Sequence, residues 1–509
     1  MIGQLSPYSI LIIVAGYFAV LVALSWWLNR EGSSNDDFFL AGRKSPWPLV
    51  AFGMIGASLS GVTFISVPGA IGAGGLNQAF SYMQVVFGYL LGYLVIATVL
   101  LPLYYRMGLT SIYEYLDQRL GRSAYKIGAF YFLLSRTIGA SFRLFLVAIV
   151  LQQFVTGPLG LPFIATVAIT ILLIWLYTFQ GGIKTIVYTD ALQTLSMIIA
   201  VILTISFIGD ALETDLSGLV GLIKNSDYSQ VFFFEGGWSD PNNFFKQFFA
   251  GALITIVMTG LDQDMMQKNI SISNVRDSQK NMALFSVILV FANVLFVGLG
   301  ALLYIYAANF GLEIPARTDQ LYPTIALNHL PAAAGIFFII GLIAAAYSSA
   351  DSALTALTTS FSVDMLDIRK RDDWDEAQKR RVRRYVHMGF SVLLLVVIML
   401  FQAIADEAVI NSLFKAAGYT YGPLLGLFCY GLFTNLRVRE YVQIGSLRLP
   451  VLVVLCLAAP VISFFVDYYS AELLNGFEFG FLILAFNGLL TFAGLLALSD
   501  DTPPLEEED

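Results

Sequence analysis

The sequence predicts an all-α polytopic membrane protein of about 13 transmembrane helices, from three observations. Apolar types make up 57% of the 509 residues and charged residues only 13%, where a soluble domain carries about 25% charged. A chain of this length with so few charges lacks the material for a water-facing surface, so lipid is its main solvent. Stretches long enough to cross a hydrocarbon core, about 20 apolar residues in a helix, recur along the whole chain. Gly, at 43 residues, and Phe, at 41, fit close helix packing and lipid-facing bulk.

Taken in order, the spans lie near 8–28, 47–73, 80–103, 125–155, 162–180, 185–209, 245–262, 281–309, 331–360, 385–403, 409–433, 449–467 and 477–498. Lys and Arg orient them. With the N-terminus outside, the inner segments hold Arg30, Arg43, Lys44, Arg106, Arg119, Arg122, Lys126 and Lys184. They also hold Lys268, Arg276, Lys280, the eight basic residues from Arg369 to Arg384, and Arg437, Arg439 and Arg448. Only Lys224, Lys246 and Arg317 face out, while Arg136, Arg143 and Lys415 fall within or near spans. This asymmetry predicts an extracytoplasmic N-terminus, a cytoplasmic C-terminus and an odd number of spans. The outer segment 210–244, with its aromatic run Val231 to Phe234, reads as a cap on the external mouth. The outer segment 310–330 reads as a short surface helix.

Composition also excludes several function classes. Cys429 and Cys456 both sit in apolar stretches and offer no disulfide framework. With only His329 and His387, a histidine-based metal site is not expected, and the scattered basic residues do not form a nucleic-acid surface. The first span, lacking a basic region and a small-residue cleavage site, reads as retained. The net charge is −8, and 499–509 reads as a short acidic tail that is expected to be disordered.

Polar clusters inside lipid are either packing glue or sites. The first is Ile55-Gly-Ala-Ser-Leu-Ser-Gly-Val-Thr-Phe64, followed by Pro68, Gly69, Gly72, Gly74 and Gly75. So many small residues and breakers predict a helix interrupted at mid-membrane, which frees carbonyls for a cation and N–H groups for an anion. A tightly packed glycine-rich helix is the competing reading. The second cluster is Ala344-Ala-Ala-Tyr-Ser-Ser-Ala-Asp-Ser-Ala353. Ala345, Ser348, Ser349 and Ser352 share one helical face, an oxygen-rich surface suited to a hard cation such as sodium. Serines bonding back to their own helix would need no ion. Asp351 is costly at this depth unless paired or bound to a cation.

In Gly181-Gly-Ile-Lys-Thr-Ile-Val-Tyr-Thr-Asp190, the aspartate lies about 9 Å deeper than Lys184 at 1.5 Å per residue. Pairing with an arginine, ligation of a cation and proton relay all remain open for it. Arg136, near the middle of its span, has two readings: a fixed guanidinium for a solute carboxylate, or half of a structural ion pair. Arg143, seven residues on, occupies nearly the same face, and periodicity does not choose between them.

These residues resemble the sodium/solute symporter family, whose members carry sugars, proline, iodide, pantothenate and sialic acid. The marks are Asp37-Phe-Phe-Leu-Ala-Gly-Arg43, the Gly-Gly-Ile-Lys-Thr segment before Asp190, Gly260-Leu-Asp-Gln263 with Gln267 and Lys268, and the Tyr-Ser-Ser-Ala-Asp-Ser run. They extend in order over about three quarters of the chain. The resemblance implies the amino acid/sodium symporter (LeuT-like) architecture of two inverted five-helix repeats. It divides the chain into a preceding helix and cytoplasmic loop (1–46), a first repeat (47–209), an extracytoplasmic loop (210–244), a second repeat (245–433), two further helices (434–498) and the tail (499–509).

It further implies a sodium site made by backbone oxygens of Gly56, Leu59 and Ala345 with the hydroxyls of Ser348 and Ser349. Gly56 stands where Ala is more usual. A second sodium in some members corresponds here to Asp190, Ser348, Asp351 and Ser352, with Asp351 in place of a hydroxyl residue. The pocket resembles the sialic acid branch: Ser58, Ser60 and Thr63 match its hydroxyl-lined interrupted helix, Phe80 and Gln84 its aromatic–glutamine pair, and Arg136 its carboxylate-binding arginine. The implied activity is sodium-coupled import of a small polar solute, an organic anion such as sialic acid or another carboxylate, at a plasma membrane or bacterial inner membrane. Na+ and solute are then the small-molecule partners and lipid the surroundings, with no nucleic acid, no enzyme chemistry and no obligatory protein partner. A neutral sugar, polyol or amino acid is the alternative solute. A solute receptor that does not transport is the alternative of another class.

Overall fold

The computed structural model describes residues 6–28, 41–178, 182–404, 409–444 and 447–500. Arg30, residues 37–40 of the Asp37–Arg43 motif, Gly181 and tail residues 501–509 therefore lie outside the described residues. The described chain is almost wholly helical, in the order α1 (Pro7–Leu28), α2 (Trp47–Ala70), α3 (Ala79–Arg106), α4 (Glu114–Leu120), α5 (Arg122–Thr156), α6 (Phe163–Thr178), α7 (Gly182–Ala211), α8 (Leu216–Lys224) and α9 (Phe244–Gly260). There follow α10 (Gln263–Ile270), α11 (Val275–Asn309), α12 (Leu321–Asn328), α13 (Ala332–Met365), α14 (Glu376–Ile404), α15 (Val409–Phe433), α16 (Val451–Tyr468) and α17 (Gly480–Ala497). Two small antiparallel pairs, Arg437–Val438 with Ser499–Asp500 and Val442–Ile444 with Leu447–Leu449, tie down the last connections.

Among the described residues, ten helices are long and apolar enough to cross a membrane, or eleven when α9 and α10, bent by 63° at a short break, count as one. The expected thirteen is thus corrected. Helix α6 has only 16 residues, and α15, with 25, interrupts its apolar sequence with Lys415, Tyr419, Thr420 and Pro423. Glycine sets how closely the helices approach. A Cβ on Gly88 of α3 would stand 2.0 Å from the Phe248 carbonyl oxygen of α9, and one on Gly251 would stand 2.2 Å from that of Val85. Backbone faces backbone on both sides, so neither neighbour can rotate away. Gly251→Val is expected to destabilise the protein by at least the roughly 1–3 kcal/mol typical of overpacking; an unchanged thermal unfolding midpoint in detergent would refute this close contact.

Helices α2, α7 and α13 form the centre of the bundle, and α5, α10 and α11 surround them. Helix α12 is buried, which corrects the surface-helix expectation. Its Tyr322 ring packs 5.3 Å from Phe64 and 4.7 Å from Phe338, and its hydroxyl lies 2.8 Å from that of Thr204. The outer segment 210–244 is pinned by Asn242, whose side chain receives the Asn77 N–H at 2.9 Å and donates to the Gly75 carbonyl at 2.7 Å.

Candidate functional site

The break in α2 falls at Ser60, whose backbone turns to φ 53°, ψ 176°. A left-handed φ in a non-glycine residue is strained, and such strain clusters at functional sites. One residue off helical geometry divides α2 into two helical segments, with Gly56 and Leu59 in the turn that precedes the break. Glycine brings that turn against its neighbours. A Cβ on Gly53 would lie 3.1 Å from Cβ of Asp190, and one on Gly56 would lie 2.4 Å from Thr194 Oγ1 and 3.5 Å from Ser348 Oγ. The Gly56 position therefore faces both α7 and the serine face of α13. On that face Ser348 and Ser349 are fully buried. Ser348 Oγ makes one long bond, 3.4 Å, to the Ala345 carbonyl, and Ser349 Oγ has no hydrogen-bond partner. Ser348 is thus bonded weakly within its own helix and Ser349 is not, and buried hydroxyl oxygens of this kind are donors that a hard cation accepts.

One turn along α13, the second set of residues is arranged around a side chain that sequence reasoning assigned elsewhere. Lys268, counted among the inner-loop cations, is only 1% exposed. The bend between α9 and α10 folds its helix back into the bundle, where its Nζ lies 2.7 Å from Asp190 Oδ2 and donates to Ser352 Oγ at 2.7 Å. Ser352 Oγ also lies 3.2 Å from Asp190 Oδ2, and Asp351 Oδ1 accepts the Ser352 N–H at 2.6 Å. The signal that could have placed Lys268 was its company. It stands four residues after Asp264, the spacing at which a lysine and an aspartate meet on one helix face.

Beyond the break, a cavity of about 70 Å³ is lined by Ser58, Ser60, Thr63, Tyr93, Arg136 and Arg143 among others. Phe80 and Gln84 are not part of this lining. Both ends of the Gln84 amide are used in the outer segment: Nε2 donates to the Asn242 carbonyl at 2.8 Å and Oε1 accepts from Phe233 N–H at 3.1 Å. Phe80 is held there too, its N–H bonded to Gln230 O at 3.0 Å.

The two arginines differ in their partners. Arg136 Nη2 is ion-paired with Asp264 Oδ2, and Nη1 lies 3.9 Å from Asp262 Oδ2. Asp262 is itself fixed, capping α10 through the Asp264 N–H at 3.0 Å and accepting from the Tyr421 hydroxyl at 2.5 Å. Arg136 thus faces two carboxylates, although its Nε makes no hydrogen bond. Arg143, 6% exposed, has neither a partner for Nε nor one for Nη1.

A broken central helix, buried serine hydroxyls beside it and a polar cavity beyond the break are the features the site presents. The sequence model of the sodium:solute symporter family matches residues 38–441. The chain belongs to the sodium:solute symporter family. This symporter is 25% identical over 436 residues to the sodium/sialic acid symporter NanT of Aliivibrio fischeri, covering 82% of each chain. It is 22% identical over 442 residues to the sodium/sialic acid symporter SiaT of Proteus mirabilis, covering 83% of this chain and 84% of that one. Its fold is similar to a Na+-coupled sialic acid symporter solved in a substrate-bound outward-open state, with a TM-score of 0.79 at 18% identity over 97% of this chain and 99% of the other. The symporter is an all-α membrane protein, and it couples Na+ to the movement of a small polar solute by alternating access.

Proposed function

We propose that the solute is a small organic anion, moved into the cell with Na+, and that Arg143 holds its carboxylate. The observation that carries this reading is the Arg143 guanidinium, buried beside the cavity with two nitrogens unpartnered. A buried charge is costly unless paired, and a planar carboxylate matches the guanidinium fork bidentately. The hydroxyls of Ser58, Ser60 and Thr63, on the same cavity wall, suit the polar remainder of a sugar acid or hydroxy acid. Arg136, which matches the arginine of the sialic acid branch, takes the structural role here because Asp262 and Asp264 already occupy it. Sialic acid, named for two relatives, belongs to the solute class this chemistry favours.

In this reading Gly56, Leu59, Ala345, Ser348 and Ser349 hold the sodium ion that stabilises the outward-open state. Residues 47–209 and 245–433 form the inverted repeats. The distribution of Lys and Arg supports an outer N-terminus and a cytoplasmic C-terminus.

Uptake into proteoliposomes under an imposed sodium gradient tests the proposal across sialic acid, other sugar acids, monocarboxylates, neutral sugars, polyols and amino acids. Accumulation of at least one acid, dependent on sodium, is expected. Accumulation of neutral solutes alone would overturn the anion assignment, and binding without flux in sealed vesicles would favour a receptor.

A further inference from the structure

We infer that the Lys268 ammonium is a built-in cation that fills the second cation position, so that this symporter binds one sodium ion where a two-sodium relative binds two. The second sodium expected at Asp190, Ser348, Asp351 and Ser352 would draw on the oxygens that Lys268 already holds. Its Nζ is 2.7 Å from Asp190 Oδ2 and 2.7 Å from Ser352 Oγ, and Asp264 Oδ1 lies 3.9 Å away on the same short helix. Two of the oxygens expected to ligate a metal are thus hydrogen-bond acceptors for a group carrying the same unit charge. A sodium ion bound to them would sit against the ammonium, and like charges at that separation in a buried site repel strongly.

The placement is built into the fold. Lys268 reaches this position because the chain bends by 63° before α10 and returns it to the bundle. The Asp262 side chain fixes the start of that helix by accepting the Asp264 and Met265 N–H groups at 3.0 and 3.4 Å. The ammonium joins three elements: Asp190 on α7, Ser352 on α13 and its own α10. The charged groups around it are accordingly Asp190, Asp264 and Arg136, with Asp351 next to Ser352. The first sodium position is untouched by this arrangement, because Ser349 Oγ and the Gly56 turn make no bond with Lys268.

The test is a count of bound sodium that requires no knowledge of the solute. Equilibrium binding of radioactive sodium to the purified full-length protein in nanodiscs is measured for the native chain, Lys268→Arg, Lys268→Ala and Lys268→Met. The native chain and Lys268→Arg should each bind one ion. Lys268→Ala should gain one ion, with a steeper saturation curve, because Asp190 and Ser352 are then released for a metal. If Lys268→Ala fails to fold, Lys268→Met, which keeps the stem and its packing, supplies the same comparison. Two ions on the native chain, or no gain in a folded variant, would overturn the inference. Because no solute is present, failure here is distinguishable from failure of the anion assignment.

Discussion

Arg143→Gln is expected to abolish accumulation of the cognate acid while sodium binding and the folded protein survive. Glutamine retains a polar terminus and much of the stem, so the cavity wall keeps its packing, but the charge and the bidentate fork are gone. Truncating one side of a buried, hydrogen-bonded charge pair costs about 2–5 kcal/mol. At 1.4 kcal/mol per factor of ten, that is roughly 30-fold to several thousandfold in affinity. Because Nε and Nη1 bond to no protein group, the substitution breaks no internal hydrogen bond from these atoms, and the thermal midpoint should hold or rise. The measurement pairs a binding isotherm for the acid identified in the uptake screen with radioactive sodium binding on the same preparation. Unchanged affinity for the acid would remove Arg143 from the solute site.

The sequence carried the membrane class, the helix break and the oxygen-rich face of α13, since each rests on local chemistry. Gly56 and its small neighbours announce a close approach and an interruption by residue type alone, and Ser60 is where the backbone turns. Ser348, Ser349 and Ser352 share a face by helical period, which any correct helix assignment preserves. What could not be read was which charge finds which partner. Arg136 and Arg143 lie two turns apart on one helix, and their different pairing depends on Asp262 and Asp264, more than a hundred residues away in sequence. Lys268 misled the orientation rule in the same way. Counting basic residues treats a lysine near a span end as facing water, whereas a bend between α9 and α10 turns this one inward. The partners of Gln84 were equally out of reach: its amide bonds Asn242 and Phe233, about 150 residues away in sequence. The span count failed at α6 and α15 because one is short and the other is polar, and hydropathy alone does not say how neighbours shelter such a helix.

Arg136→Ala should cost most of the folded protein rather than only its solute. The guanidinium faces Asp264 and Asp262, all three buried. Removing it leaves two carboxylates at the start of α10 with their common cation gone, and Asp262 still has to cap that helix and accept from Tyr421. Breaking a buried ion pair from one side costs about 3–5 kcal/mol, a large part of the roughly 5–15 kcal/mol that holds a typical domain together. The damage should spread along α10, since its first turn rests on Asp262 and its last carries Lys268 into the bundle. Arg136→Lys keeps the charge but cannot span both carboxylates as a planar fork does, so an intermediate loss is expected. Removing the carboxylates as well tests the cause: Arg136→Ala combined with Asp264→Asn should recover part of the stability lost by Arg136→Ala alone, because the stranded charge is gone. The readouts are the yield of monodisperse protein on size exclusion and its thermal midpoint in detergent. A well-folded Arg136→Ala that binds sodium normally and loses only the acid would transfer the carboxylate-binding role back from Arg143 to Arg136.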